Sequence, residues 1–275
     1  MKVLITGKNS YVGKNIGNFL LYKNMEVKYV SVRNCISEDE FTDVDVVVHC
    51  AAIVHKKEAK FAILYDKVNY ELTVDIAEKA KKKGVKQFIF MSTMAGVYGK
   101  SEGEIKGNTP LQPKTLYGES KLKAEKALEK IADENFKVSI IRPPMVYGRS
   151  CPGNYKKLRM LALKLPVFPL VENKRSFIYV ENLAYFVWNT ISEGKEGIFM
   201  PMDSKTESTD TMSKYICSVN NKEIKFSPFL GKMVKKIPLN SLKKAFGSLY
   251  YGNDIAEVVS FTGFQEAINY TEKNF

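Results

Sequence analysis

Residues 2–13 read Lys2-Val3-Leu4-Ile5-Thr6-Gly7-Lys8-Asn9-Ser10-Tyr11-Val12-Gly13. A short apolar run ends in a glycine turn, and Val12, Ile16, Phe19 and Leu20 then recur at helical spacing. Strand, turn, helix follows. Such a turn aims backbone N–H groups and the positive end of a helix dipole at an anion, and its glycines allow a tight bend and close approach of a pyrophosphate. Gly13 also permits close helix packing. The same turn joins strand to helix in α/β proteins that hold no nucleotide, so the segment fixes the local fold before it fixes a ligand.

Working outward, Val27 to Val32 fits a second strand. The run from Val44 to Ala52 is continuous rather than alternating, as expected for a strand buried on both faces. Val68, Leu72, Ile76 and Ala80 mark one face of a helix that stops at Gly84, and Phe88 to Met91 reads as the next strand. A helix with Ala124, Ala127, Leu128 and Ile131 on one face precedes the strand Val138 to Ile141. Strands alternating with amphipathic helices predict an α/β fold built on a doubly wound parallel sheet. Beyond about residue 148 the alternation fades, and Pro152, Pro166, Pro169, Pro201, Pro228 and Pro238 punctuate shorter segments. The reading therefore assigns 1–147 to a dinucleotide-binding domain, completed by about 175–195, and 148–174 with 196–275 to a smaller cap over a substrate.

The composition agrees. The chain has 275 residues, 45% hydrophobic and 26% charged, which excludes a disordered or collagenous chain. Cys35, Cys50, Cys151 and Cys217 are scattered, and His49 and His55 are the only histidines, so neither a disulfide framework nor a metal site is expected. No stretch approaches the roughly 18 apolar residues of a membrane span. With no leader pattern at the N-terminus, a cytoplasmic protein is expected. The net charge of +12 has two readings, solvated lysine faces with an anionic small ligand or a nucleic-acid surface; lysines spread without a basic-aromatic array favour the first.

Tyr117-Gly118-Glu119-Ser120-Lys121 places a tyrosine and a lysine four residues apart on one helix face. A tyrosine with a pKa near 10 needs a drop of about 2–3 units to exchange protons near neutrality, and an ammonium at about 4 Å supplies that much. The pattern also arises by chance, where an exposed lysine merely lies beside a tyrosine.

Taken together, Thr6-Gly7 through Gly13, His49-Cys50-Ala51-Ala52, Ser92-Thr93 with Val97-Tyr98-Gly99, Tyr117 to Lys121, Arg142-Pro143 with Val146-Tyr147-Gly148, and Arg175 to Val180 resemble the extended short-chain dehydrogenase/reductase (NAD-dependent epimerase/dehydratase) family. The resemblance implies a Rossmann-like sheet and a nucleotide-diphosphate sugar as substrate. It implies that Thr93 hydrogen-bonds the sugar oxygen, that Tyr117 is the acid/base, and that Lys121 holds the nicotinamide ribose and depresses the tyrosine. It places Gly7, Ser10, Tyr11, Val12, Gly13, Arg33, Asn34, Ala51, Ala52, Asn69, Lys121 and Pro144 on the cofactor. Asn154 and Arg175, with Thr93 and Tyr117, fall on the sugar nucleotide. A homodimer is implied through the Tyr117 helix and residues 66–83.

Departures from the family pattern are informative. Ser10 replaces the middle glycine of the turn, Met94-Ala95 replaces the Asp-Glu pair of sugar dehydratases, and Gly96 is an additional residue. Ser31-Val32-Arg33-Asn34 stands where an acidic residue would bind the adenine ribose of NAD, which favours NADP(H) while leaving NAD(H) open. Arg142 to Gly148, Cys151 to Tyr155, Leu165 to Pro169 and Asn173 to Ser176 resemble the capsule and O-antigen subgroup taken to reduce UDP-4-keto-6-deoxy-N-acetylhexosamines. Two alternatives stay open: an NAD-dependent UDP-hexose 4-epimerase acting on UDP-glucose or UDP-N-acetylglucosamine, and a cofactor-binding regulator without turnover. Peripheral association with a membrane is a further open possibility.

Overall fold

The central sheet has six parallel strands, in the order Gly197–Phe199, Lys137–Ile141, Gln87–Met91, Val46–His49, Lys2–Thr6 and Glu26–Val30. A computed structural model describes residues 1–32, 36–54, 61–237, 240–273 and 275. From Lys2–Thr6 the chain moves first to one side, to Glu26–Val30, and then to the other, to Val46–His49. The order of strands reverses between these two excursions, so a crevice forms at the carboxyl ends of Lys2–Thr6 and Val46–His49. Gly7 and Cys50 lie at those two ends.

Alternation along the strands sends Leu4, Val47, Phe88, Phe90, Val138 and Ile140 to one face. There they pack on Ile76, Ala77 and Ala80 of helix Leu72–Lys82 and on Ala124 and Leu128 of helix Leu116–Ile131. The opposite face carries helices Tyr11–Tyr22 and Val180–Ser192, which meet where Phe19 and Tyr185 pack edge to face at 6.3 Å. Continuous apolar strands are thus buried on both sides, as the sequence predicts. Helix Leu72–Lys82 is entered through Ala62–Tyr65 and a π-helical stretch, Asp66–Glu71, that carries Asn69.

A buried polar chain crosses this core. The Thr73 hydroxyl donates to the Asn69 carbonyl at 2.9 Å, so it accepts from His49 Nε2–H at 3.0 Å, and His49 Nδ1 accepts from Thr6 Oγ1 at 2.8 Å. The ring stacks against Phe88 and Phe90, both at 5.9 Å. Burial, helped by the charge of Lys121, lowers the His49 pKa to about 3 from the ordinary 6.5. Between these values the unfolded chain binds a proton that the folded one does not, so stability is complete above pH 6.5 and falls toward pH 3. One proton corresponds to about 1.4 kcal/mol per pH unit. Urea midpoints measured from pH 7 to pH 4 should show this slope, and His49→Asn should remove about one proton of it; an unchanged slope would refute the assignment.

The chain divides into two compact units. The first is Met1–Gly99, Pro110–Pro143 and Ala184–Met200; the second is Lys100–Thr109, Pro144–Leu183 and Pro201–Phe275. These limits differ from 147/148 and 175–195 because of strand pairing. Gly103–Ile105 pairs with Leu249–Tyr251, and Met145–Tyr147 with Phe177–Tyr179, so both early segments belong to the second unit. Two further parallel pairs, Val167–Pro169 with Lys225–Ser227 and Pro201–Asp203 with Glu257–Val259, complete it. Asp203 ties this unit together, accepting from Tyr147 Oη at 2.8 Å, from the Tyr179 amide at 3.0 Å and from Asn182 Nδ2 at 2.8 Å.

Candidate active site

Gly7 adopts φ +82°, and a Cβ on it would lie 2.9 Å from the Ala51 nitrogen, so only glycine lets the first turn close against the end of Val46–His49. Ser10 then caps helix Tyr11–Tyr22, its hydroxyl accepting from the Gly13 amide at 3.2 Å. This explains the serine in a glycine position: it supplies the cap that a glycine cannot. A Cβ on Gly13 would stand 3.2 Å from Cys50 Cβ and 3.3 Å from Ile5 Cγ2, so the helix start lies directly on the sheet. Tyr11 and Val12 form its first turn. Dipole, close backbone and reversed strand order converge at one edge, and a dinucleotide pyrophosphate fits there. Arg33 and Asn34, expected on the adenine side, lie outside the described residues.

Asn69 is fully buried and holds this edge rather than lining it. Its amide accepts from the Ile53 N–H at 2.9 Å and donates to the Ile53 carbonyl and to Ser120 Oγ, each at 3.1 Å. Ser120 Oγ donates in turn to the Tyr117 carbonyl at 2.9 Å. One side chain thereby locks the segment after Ala51-Ala52 to the helix Leu116–Ile131. Both amide hydrogens are used within the protein, and Oδ1 keeps one lone pair for a further donor.

Helix Leu116–Ile131 starts at Thr115, whose hydroxyl accepts from Gly118 N at 3.1 Å. Tyr117, in the first turn, is half-buried and meets Tyr65 edge to face at 6.4 Å. Lys121, one turn on, is buried; Nζ donates to the Met91 carbonyl at 2.7 Å and lies 4.2 Å from the Phe90 ring centre. The two residues do not behave as the spacing alone suggests. Burial first, and Tyr65 second, push the Tyr117 phenol up to about 12, and burial pulls the Lys121 ammonium down to about 8. Burial sets the direction of both shifts, and the Lys121 ammonium is held at the strand end by the Met91 carbonyl.

Thr93 follows strand Gln87–Met91 and precedes the short helix Met94–Tyr98 without capping it. Its neighbour Ser92 cannot serve the same purpose, because its buried hydroxyl donates to Glu125. Gly96 sits inside the short helix, not in an enlarged loop. A Cβ there would strike Thr93, and one on Gly118 would strike the Gly96 carbonyl, so two glycines let the Thr93 segment touch the first turn of the Tyr117 helix. No acidic residue occupies helix Met94–Tyr98, and Met94 is buried.

A network missed by motif reading anchors these parts. Glu125 accepts from Arg142 Nη2 at 2.7 Å and Nε at 3.2 Å, while Arg142 Nη1 donates to Tyr98 Oη at 3.1 Å. Glu125 and Arg142 are 1% and 4% exposed, and Ser92 completes the set. The signal lay in the sequence: Glu125 falls one turn beyond Lys121, and Arg142 stands at the end of a buried strand.

Pro144, Asn154 and Arg175 belong to the second unit. Pro144 is buried; Asn154 is the exposed first residue of helix Asn154–Lys164, after Gly153 at φ +84°. Arg175 is buried, pairs by backbone with Glu207, and donates from Nη1 to the Gly247 carbonyl at 2.7 Å. Among the described residues it forms no ion pair, and burial lowers its pKa to about 10. It is a buried cation with no carboxylate paired to it among those residues.

The NAD dependent epimerase/dehydratase family matches residues 3–199. A UDP-glucose 4-epimerase of Vibrio cholerae is 32% identical over 98% of this chain and 88% of its own. An N-acetyl-α-D-glucosaminyl-diphospho-ditrans,octacis-undecaprenol 4-epimerase of Escherichia coli O157:H7 is 34% identical over 52% of this chain and 44% of its own. The solved UDP-glucuronic acid 4-epimerase of Bacillus cereus, in complex with NAD, superimposes with a TM-score of 0.76 at 17% identity, over 100% of this chain and 98% of that one; this likeness carries the fold.

Proposed function

Because the chain belongs to the NAD-dependent epimerase/dehydratase family and is an enzyme of the extended short-chain dehydrogenase/reductase type, we propose that it reduces the C4 keto group of a UDP-4-keto-6-deoxy-N-acetylhexosamine with NADPH, in the synthesis of a bacterial surface polysaccharide precursor. The sequence observation that carries this direction is Ser31-Val32-Arg33-Asn34, which has no acid where NAD binding asks for one, and Tyr117 fits the part of proton donor. A phenol held near 12 keeps its proton throughout the neutral range and is suited to donate it to an incipient alkoxide at O4. Thr93 steadies that oxygen as charge develops. Lys121 retains two hydrogens for the nicotinamide ribose after its bond to Met91. The cofactor, when bound along the Gly7–Gly13 turn, supplies the hydride.

Arg33, set after Ser31-Val32 where NAD binding asks for an acid, supports NADPH. The absence of a carboxylate in helix Met94–Tyr98 argues against elimination of water. A second reading, 4-epimerisation of a UDP-hexose with retained NAD, is supported by the full-length similarity to the Vibrio cholerae protein. The two separate in one assay. Loss of reduced-nicotinamide absorbance on adding UDP-4-keto-6-deoxy-N-acetylglucosamine, faster with NADPH than with NADH, establishes reduction. No oxidation, with interconversion of UDP-glucose and UDP-galactose or of their N-acetyl analogues, establishes epimerisation.

Arg175 is assigned to the sugar diphosphate. Charge-assisted bonds of this kind contribute about 1.5–3 kcal/mol, so Arg175→Met should raise KM about 10- to 100-fold with kcat little changed. Removing a buried, unneutralised charge should leave the melting temperature equal to or above that of the wild type. A loss of melting temperature without a change in KM would make Arg175 structural. Ile63, 81% exposed beside the helix face assigned to the homodimer, supports that assembly.

A further inference from the structure

Helix Pro228–Lys236, in the second unit, exposes the face that an amphipathic helix ordinarily buries. Phe229, Met233 and Ile237 are 71%, 47% and 38% exposed. At about 100° per residue they lie within an arc of roughly 80°. Gly231, on the other side, is buried, and a Cβ there would strike the Leu170 carbonyl. The helix is therefore docked by its glycine side on the residues after Val167–Pro169, and it cannot roll its apolar stripe inward. Ser227 fixes its start, the hydroxyl accepting from Leu230 N at 3.2 Å, and Pro228 opens its first turn.

Beside this stripe, Lys232 and Lys236 occupy the adjoining arc, are exposed, and form no ion pair among the described residues. From Lys225 to Phe246 the sequence holds six lysines, 225, 232, 235, 236, 243 and 244, and no acidic residue. An exposed apolar stripe flanked by unpaired ammonium groups is the pattern of a helix that lies in a bilayer interface, its apolar side among acyl chains and its lysines on phosphates. A second copy of this face would bring lysines against lysines, which argues for an anionic partner instead of self-association. We propose that helix Pro228–Lys236 docks the enzyme on an anionic phospholipid surface through Phe229, Met233 and Ile237, with Lys232 and Lys236 on the headgroups.

The test is flotation of the full chain with vesicles of phosphatidylcholine alone or containing about a third phosphatidylglycerol, at low and at physiological ionic strength. Binding is expected to the anionic vesicles only, and to weaken with salt. The double variant Phe229→Ser/Met233→Ser and the charge-reversal variant Lys232→Glu/Lys236→Glu should each lose at least about tenfold in vesicle partitioning while keeping the turnover of a soluble substrate. Absence of flotation at low salt overturns the proposal, as does equal binding by the charge-reversal variant. So does light scattering that shows the double variant converting a dimer to a monomer with vesicle binding intact, which would make the stripe an interface between copies.

Discussion

Tyr117→Phe is expected to lower kcat by 10²–10⁴-fold, the range lost when a general acid is removed, while the fold and the KM for a UDP sugar stay close to those of the wild type. In the proposed reaction the hydroxyl would donate the proton, and the ring, packed against Tyr65, is retained by phenylalanine. The pH profile sharpens the test. With the phenol near 12 and Lys121 near 8, the alkaline limb of kcat/KM should report the lysine. Activity should be flat through neutrality and fall as pH rises through about 8, as the buried ammonium loses its charge. Lys121→Met should abolish that limb along with most activity. A profile that stays flat to about pH 10, or a phenylalanine variant keeping more than about a tenth of wild-type kcat, would remove Lys121 or Tyr117 from its role in proton transfer.

That profile also marks the limit of what helical spacing reveals. Tyr117 and Lys121 share a face because residues four apart do, and this much was legible. The direction of their pKa shifts was not, because it depends on residues distant in sequence. Burial by those residues lowers the ammonium and raises the phenol, and Tyr65 adds to the rise of the phenol. The parallel sheet was legible for a similar reason, since Val44 to Ala52 and Phe88 to Met91 are apolar without alternation and can only be buried on both faces. The unit boundaries were less so. Gly103–Ile105 and Met145–Tyr147 are three-residue strands whose partners lie far along the chain, and three residues carry too little periodicity to declare an allegiance. Asn69 shows the same effect within the site. A lone asparagine in a helix gives no sign that it will bond both polar groups of Ile53 and reach Ser120.

Glu125→Gln is expected to be the most destabilising single change in the first unit, because it leaves the Arg142 guanidinium charged and buried beside a neutral amide. Breaking a buried pair on one side costs about 3–5 kcal/mol, far more than losing an exposed pair such as Lys82 with Glu38. At about 2–4 °C per kcal/mol for a chain of this size, the melting temperature should drop by roughly 6–20 °C. Replacing both partners, as Glu125→Leu with Arg142→Leu, should cost less than the single change, since no uncompensated charge remains. The consequence for catalysis follows from the geometry. Glu125 is one turn from Lys121 and holds Ser92, which adjoins Thr93, and Arg142, which bonds Tyr98 of the short helix after Thr93. Released from that clamp, the Tyr117 helix and the Thr93 segment lose their common anchor, so kcat should fall while KM for the UDP sugar changes little. Thermal unfolding and steady-state kinetics on the two variants measure both effects. A Glu125→Gln protein melting within about 2 °C of the wild type, less than the shift expected for 1 kcal/mol, would show that the buried pair does not clamp these elements together.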